Sequence, residues 1–88
     1  TGINMAEIVL YSKNNCHLCD EMKIVLTNLQ REYRFKLTEF DIESDNELFA
    51  KYREKIPVLT INGKLFAKYR IDEKKLIKKL ESSSVRNI

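Results

Sequence analysis

The chain has 88 residues, 43% of them apolar and 33% charged, with a net charge of +3. That length leaves room for one domain spanning residues 1–88 around one core, taken here as about 7–80, and no apolar run approaches the ~20 residues that a membrane-crossing helix needs. Two cysteines are too few for the disulfide framework of a small secreted domain, so a reducing, cytoplasmic compartment is expected.

Residues 1–4 read as left over from expression, with Met5 as the natural start. Glu7 to Tyr11 holds Ile8, Val9 and Leu10 in sequence, the pattern of a central strand buried on both faces. Ser12 to Asn15 is a short polar loop. From Cys16 to about Glu32 the residues Leu18, Met22, Val25, Leu26, Leu29 and Tyr33 fall on one stripe, which predicts a helix. Phe35 to Ile42, rich in aromatic and β-branched residues, reads as a second strand whose facing changes parity between Leu37 and Phe40.

Ser44-Asp45-Asn46-Glu47 has the form of a capping box, predicting a second helix to about Arg53 that buries Leu48, Phe49 and Tyr52. Val58 to Ile61 and Lys64 to Lys68 flank Asn62-Gly63, which suits a type I′ turn between antiparallel strands. Asp72 offers the cap of a last helix with Ile71, Leu76, Ile77 and Leu80 as its apolar stripe, and Ser82 to Ile88 reads as a frayed tail. The order is β-α-β-α-β-β-α, a four-stranded mixed sheet flanked by three helices. A crossover through the first helix makes the first two strands parallel neighbours, with the loop after strand one at the sheet's carboxyl edge.

The only two cysteines stand at that edge, in Cys16-His17-Leu18-Cys19, where strand gives way to helix. A thiolate is the reactive form of cysteine, and an ordinary thiol with pKa near 8.5 is only about 3% ionised at pH 7. The free N–H groups and partial positive charge of a helix N-terminus favour the thiolate, which singles out Cys16 as nucleophile. Three residues on, Cys19 shares its helix face and can resolve a mixed disulfide. His17 can add positive charge beside Cys16 when protonated, or simply face solvent. Asp20 and Glu21 suit the first turn but place negative charge near Cys19, so the more protonated thiol is expected there.

Tyr11-Ser12-Lys13, then Cys16-x-x-Cys19, and later Ile56-Pro57-Val58 together resemble a glutaredoxin. More narrowly, Cys16-His17-Leu18-Cys19-Asp20-Glu21 with Asp41-Ile42 and Pro57-Val58-Leu59 is similar to a small glutaredoxin-like group. The resemblance implies a thioredoxin-like fold, a cis bond before Pro57, and a loop at Ile56 and Pro57 that faces the cysteines and pairs with an extended thiol substrate. It also implies that Lys13 contacts a glutathione carboxylate and that Asp72 stands where the family holds the γ-glutamyl end. Tyr11 can line the cleft, but its place at the end of an apolar strand favours packing. The family's Gly-Gly turn is missing: the segment is Phe66-Ala67-Lys68-Tyr69-Arg70.

The expected protein is therefore a monomeric thiol–disulfide oxidoreductase without a resident cofactor. It would reduce protein or glutathione mixed disulfides and be reduced by glutathione or a thioredoxin-type donor. Two other readings stay open: a carrier of metal or an iron–sulfur cluster, since thiolates and imidazole are soft ligands, and a non-catalytic adaptor. No metal site within one chain is expected, because a second Cys or His pair is missing. The lysines of the last helix lack interleaved aromatics and do not argue for nucleic acid.

Overall fold

The computed structural model describes residues 6–84. Strands β1 (Ala6–Ser12), β2 (Phe35–Asp41), β3 (Val58–Ile61) and β4 (Lys64–Lys68) form one sheet in the order β2-β1-β3-β4. Helices α1 (His17–Leu29), α2 (Asn46–Tyr52) and α3 (Glu73–Ser84) connect and follow them, with a single 3₁₀ turn at Ile42–Ser44. The predicted β-α-β-α-β-β-α order and mixed sheet are thus present: β1 is interior, parallel to β2 and antiparallel to β3.

One face of the sheet is sealed. Ala6, Ile8 and Leu10 of β1, Phe35 of β2, and Leu59 and Ile61 of β3 pack against Met22, Leu26 and Leu29 of α1 and Leu76 and Leu80 of α3. Each fully buried side chain of this kind contributes roughly 1.5–3 kcal/mol by leaving water. The other face is only partly covered, because α2 has just seven residues. Val9 and Tyr11 are accordingly half-buried, and β1 alternates instead of being buried on both faces as its apolar run suggests.

The parity change in β2 has the same origin. Leu37 pairs with Ile8 and shares its face, whereas Phe40 pairs with Tyr11 and stacks on its ring toward α2, at 5.9 Å. Leu48, Phe49 and Tyr52 are half-buried, short of the burial expected for them. Their helix is capped by Asp45 and not Ser44: Asp45 Oδ1 accepts from the backbone N–H of Glu47 (2.8 Å) and Leu48 (3.2 Å). Ser44 is taken up by the 3₁₀ turn, its hydroxyl donating to the Asp41 carbonyl.

Two helix ends differ from expectation. Helix α1 stops at Leu29, where Arg31 N–H turns back to the Asn28 carbonyl and the chain tightens before Phe35 enters the sheet. Helix α3 continues to Ser84, so the backbone over 82–84 is helical where fraying was expected; the remainder of that tail and residues 1–5 lie outside the described residues. The hairpin is as predicted, with Asn62 (φ +52°) and Gly63 (φ +85°) both in the left-handed region that a type I′ turn requires. Asn62 also ties the turn to β1, its side-chain oxygen accepting from Glu7 N–H at 2.9 Å and its N–H donating to the Glu7 carbonyl at 2.8 Å. No helix among the described residues is long and apolar enough to cross a membrane.

Candidate redox site

The strand register gathers the candidate residues at one end of the sheet. Ser12 pairs with Asp41, Tyr11 with Val58, and Val58 with Lys68, so the loop after β1, Pro57 and Tyr69 come side by side at the same edge. Asn15, at φ +59°, turns the chain into α1. Asparagine tolerates this left-handed conformation better than most residues.

Cys16 is the N-cap of α1. It has extended backbone angles (φ −115°, ψ 104°), and its Sγ accepts the backbone N–H of Cys19 at 3.2 Å. Sulfur thus occupies the place that a serine or aspartate oxygen usually takes at a helix start. The two cysteines are joined as a disulfide, with Cα atoms 5.2 Å apart. Their accessibility differs: Cys16 is half-buried, while Cys19 is 2% exposed and packs with Ile42 and Ile56. Cys16 is thus the more accessible of the two, and its sulfur lies against a backbone N–H of the first helical turn, the kind of group that stabilises negative charge.

His17 points away from this arrangement. Its Nε2 lies 3.0 Å from Glu21 Oε2, one helical turn on, and its side chain is 85% exposed. Among the described residues, no group of three or more His, Cys, Asp or Glu side chains converges as a metal site. Lys13 borders a polar cleft of about 360 Å³ together with Asn14, Asp20, Lys23 and Glu39. Within it Lys23 Nζ pairs with Glu39 Oε1 at 2.9 Å, and the buried Ser12 hydroxyl donates to Glu39 Oε2 at 2.8 Å. The Lys23 hydrogen bond is the main cause holding the Glu39 carboxyl below its ordinary value, and its charge, with the Ser12 bond, acts in the same direction; Glu39 in turn raises Lys23.

Tyr11 is half-buried between Phe40 and Tyr52, whose ring centroid lies 4.8 Å away, and it packs against the same small cluster as Cys16. Its position is both beside the cysteines and within a packed aromatic group. Ile56 is 9% exposed, and the peptide bond between Ile56 and Pro57 is cis. Among the described residues the backbone N–H and C=O of Ile56 have no hydrogen-bond partner. Backbone N–H and C=O groups are rarely left unpaired, which makes Ile56 a candidate edge for a partner strand.

Asp72 caps α3, with Oδ1 accepting from Lys74 N–H (3.0 Å) and Lys75 N–H (3.3 Å). Just before it lies a residue that sequence reasoning did not single out. Tyr69 has φ +67° and forms a tight three-residue turn in which Arg70 N–H donates to the Lys68 carbonyl at 2.7 Å. A side chain in this region costs of order 1 kcal/mol or more and persists only when its surroundings hold it. The available signal was the missing glycine pair in this segment. The Ser12, Lys23 and Glu39 network left no sequence signal, since it joins three elements.

Residues 7–81 match the glutaredoxin-like domain (DUF836). The chain belongs to that family. A glutaredoxin-like protein of Dictyostelium discoideum, described as a YDR286C homolog, is 33% identical over 81 residues, covering 85% of this chain and 75% of the relative. Among solved structures, the family member here is similar to protein Ne2328 of Nitrosomonas europaea (TM-score 0.77, 28% identity, 91% of this chain and 96% of that one). It is also similar to protein XcR50 of X. campestris (TM-score 0.69, 25% identity, 86% and 97%). A mutant thioredoxin of Halobacterium salinarum shares the fold at 19% identity (TM-score 0.69, 92% and 76%), so the fold is thioredoxin-like. A glutaredoxin-like domain with this Cys-x-x-Cys pair at the start of α1 points to thiol redox activity.

Proposed function

We propose that this glutaredoxin-like protein is a thiol–disulfide oxidoreductase in which Cys16 attacks and Cys19 resolves. The observation that carries the reading is the asymmetry of the pair: an accessible sulfur held at a helix N-terminus, beside a buried partner one turn along. In the first step the Cys16 thiolate attacks one sulfur of a substrate disulfide, forming a mixed disulfide and releasing the other half as a thiolate. Cys19, losing its proton, then attacks Cys16 Sγ; the second substrate thiolate leaves and the Cys16–Cys19 disulfide remains. A dithiol donor or two glutathione thiols return two electrons and two protons to the pair.

The substrates are protein disulfides or glutathione mixed disulfides, and the setting is the reducing cytoplasm, where so few cysteines serve chemistry better than scaffolding. The unpaired backbone of Ile56 supports extended polypeptides as substrates, held by strand addition next to the cysteines. Lys13 supplies positive charge on the loop before Cys16, and Tyr11 packs with Cys16 against the cluster that buries Cys19. The narrower grouping by Cys16-His17-Leu18-Cys19 rests on the motif.

Two variants test the assignment. Cys19→Ser, mixed in reduced form with a disulfide substrate, should accumulate a mixed disulfide on Cys16 that mass spectrometry detects, while Cys16→Ser should accumulate none. Adduct formation on Cys19 in the Cys16→Ser protein at the parent's rate would reverse the roles.

A further inference from the structure

The segment that joins β4 to α3 does more than connect them. Tyr69 is bonded twice to the proline loop: its backbone N–H donates to the Pro57 carbonyl at 2.8 Å, and its hydroxyl donates to the Glu54 carbonyl at 3.0 Å. The two bonds bracket Lys55 and Ile56, the stretch that carries the unpaired backbone edge. On the other side of that stretch, Lys55 N–H donates to the Tyr52 carbonyl at 2.8 Å, closing the end of α2. Tyr69 makes both bonds while its backbone is left-handed, at φ +67°. An unfavourable conformation kept at such a place points to a task there.

We propose that Tyr69 is a positioning residue, a latch that fixes the Ile56–Pro57 loop in register with the cysteines and so favours extended polypeptide disulfides over small ones. It rests on the thiol–disulfide reading above. A polypeptide substrate gains from a preset backbone edge because both partners must align over several atoms; a small disulfide has no backbone to align and draws only on Cys16. The hydrogen bonds of Tyr69 run to the proline loop and to neither cysteine. Its effect passes through Pro57 and Glu54.

The test uses Tyr69→Phe, which removes only the hydroxyl bond, and Tyr69→Gly, which removes the ring and suits the positive φ, so that folding is retained. Each reduced protein is given two oxidants with the same leaving group: a ten-residue peptide whose cysteine is disulfide-linked to 2-mercaptoethanol, and bis(2-hydroxyethyl) disulfide. Acid quenching and mass spectrometry give single-turnover rates, and amide hydrogen exchange is followed at Lys55 and residue 69. The peptide-to-small-disulfide ratio of rate constants is expected to fall about 2- to 10-fold in Tyr69→Phe, the value of one hydrogen bond, and at least as far in Tyr69→Gly. Both amides should exchange faster. Equal slowing on both oxidants, or an unchanged ratio, overturns the latch. If the parent reduces neither disulfide, the redox reading fails and the disulfide preference with it; the fixing of the loop by Tyr69 then stands or falls on exchange, unchanged amides overturning it and faster ones in both variants sustaining it.

Discussion

The two faces of the sheet divide the work. The face under α1 and α3 is continuous and apolar, from Ala6, Ile8 and Leu10 through Leu26 to Leu76 and Leu80. The face under α2 is a smaller patch: Cys19, Ile42 and Ile56 are buried, while Tyr11, Leu48, Phe49 and Tyr52 stay half-exposed around them. A short helix leaves one end of the sheet open, and the Cys16 sulfur and the unpaired Ile56 backbone lie there. Stability is concentrated on the sealed face and access on the open one.

Substitutions can break this contrast. Cys16→Ser should remove disulfide reduction altogether while leaving the thermal midpoint of the reduced protein nearly in place. Turnover near the parent's would mean that the open face does not act through that sulfur. On the sealed face, Leu26→Ala leaves a cavity in a fully buried site and should cost about 2–5 kcal/mol by denaturant unfolding. Tyr52→Ala on the open face should cost less, about 1–2 kcal/mol, since its ring is only partly covered; a loss as large as that of Leu26→Ala would erase the distinction between faces.

A smaller effect is expected at the polar cleft. The Glu39 carboxyl is held below its ordinary value by Lys23, so it binds protons less readily folded than unfolded. Its contribution is therefore present above the usual carboxylate range and is lost as pH falls through the lowered folded value. Because both side chains are substantially exposed, with 54% and 38% of their surfaces in solvent, the worth is under about 1 kcal/mol. Glu39→Gln should lower stability slightly at pH 7 and flatten the acid limb of the stability curve; an unchanged acid limb would show that the pair contributes nothing. His17→Ala should change Cys16 alkylation by less than about twofold, since the imidazole is turned to Glu21 and solvent.

Much of this was legible in the residues, for physical reasons that can be named. The stripe from Leu18 to Leu29 and the Asn62-Gly63 turn are local patterns with one stable outcome each. So is a cysteine pair at a strand-to-helix junction. The boundary at Ser44 and Asp45 was not, because two adjacent side chains could each cap a helix and the 3₁₀ turn after Asp41 decided between them. The half-burial of Val9 depended on how far α2 reaches, which no strand reveals. Tyr69 was hidden for a different reason: tyrosine does not advertise a left-handed backbone, and its two bonds run to carbonyls 12 and 15 positions earlier in the chain.

The central claim is that the start of α1 makes Cys16, and not Cys19, the working thiolate. Alkylation of the fully reduced protein by iodoacetamide across pH 4–10, with each cysteine read by mass spectrometry, tests it most directly. Cys16 should label first, with an apparent pKa below the ordinary thiol value of about 8.5, while Cys19 should stay protected until the fold is lost. Labelling of Cys16 only at the ordinary thiol value, or of Cys19 ahead of it, would contradict the account.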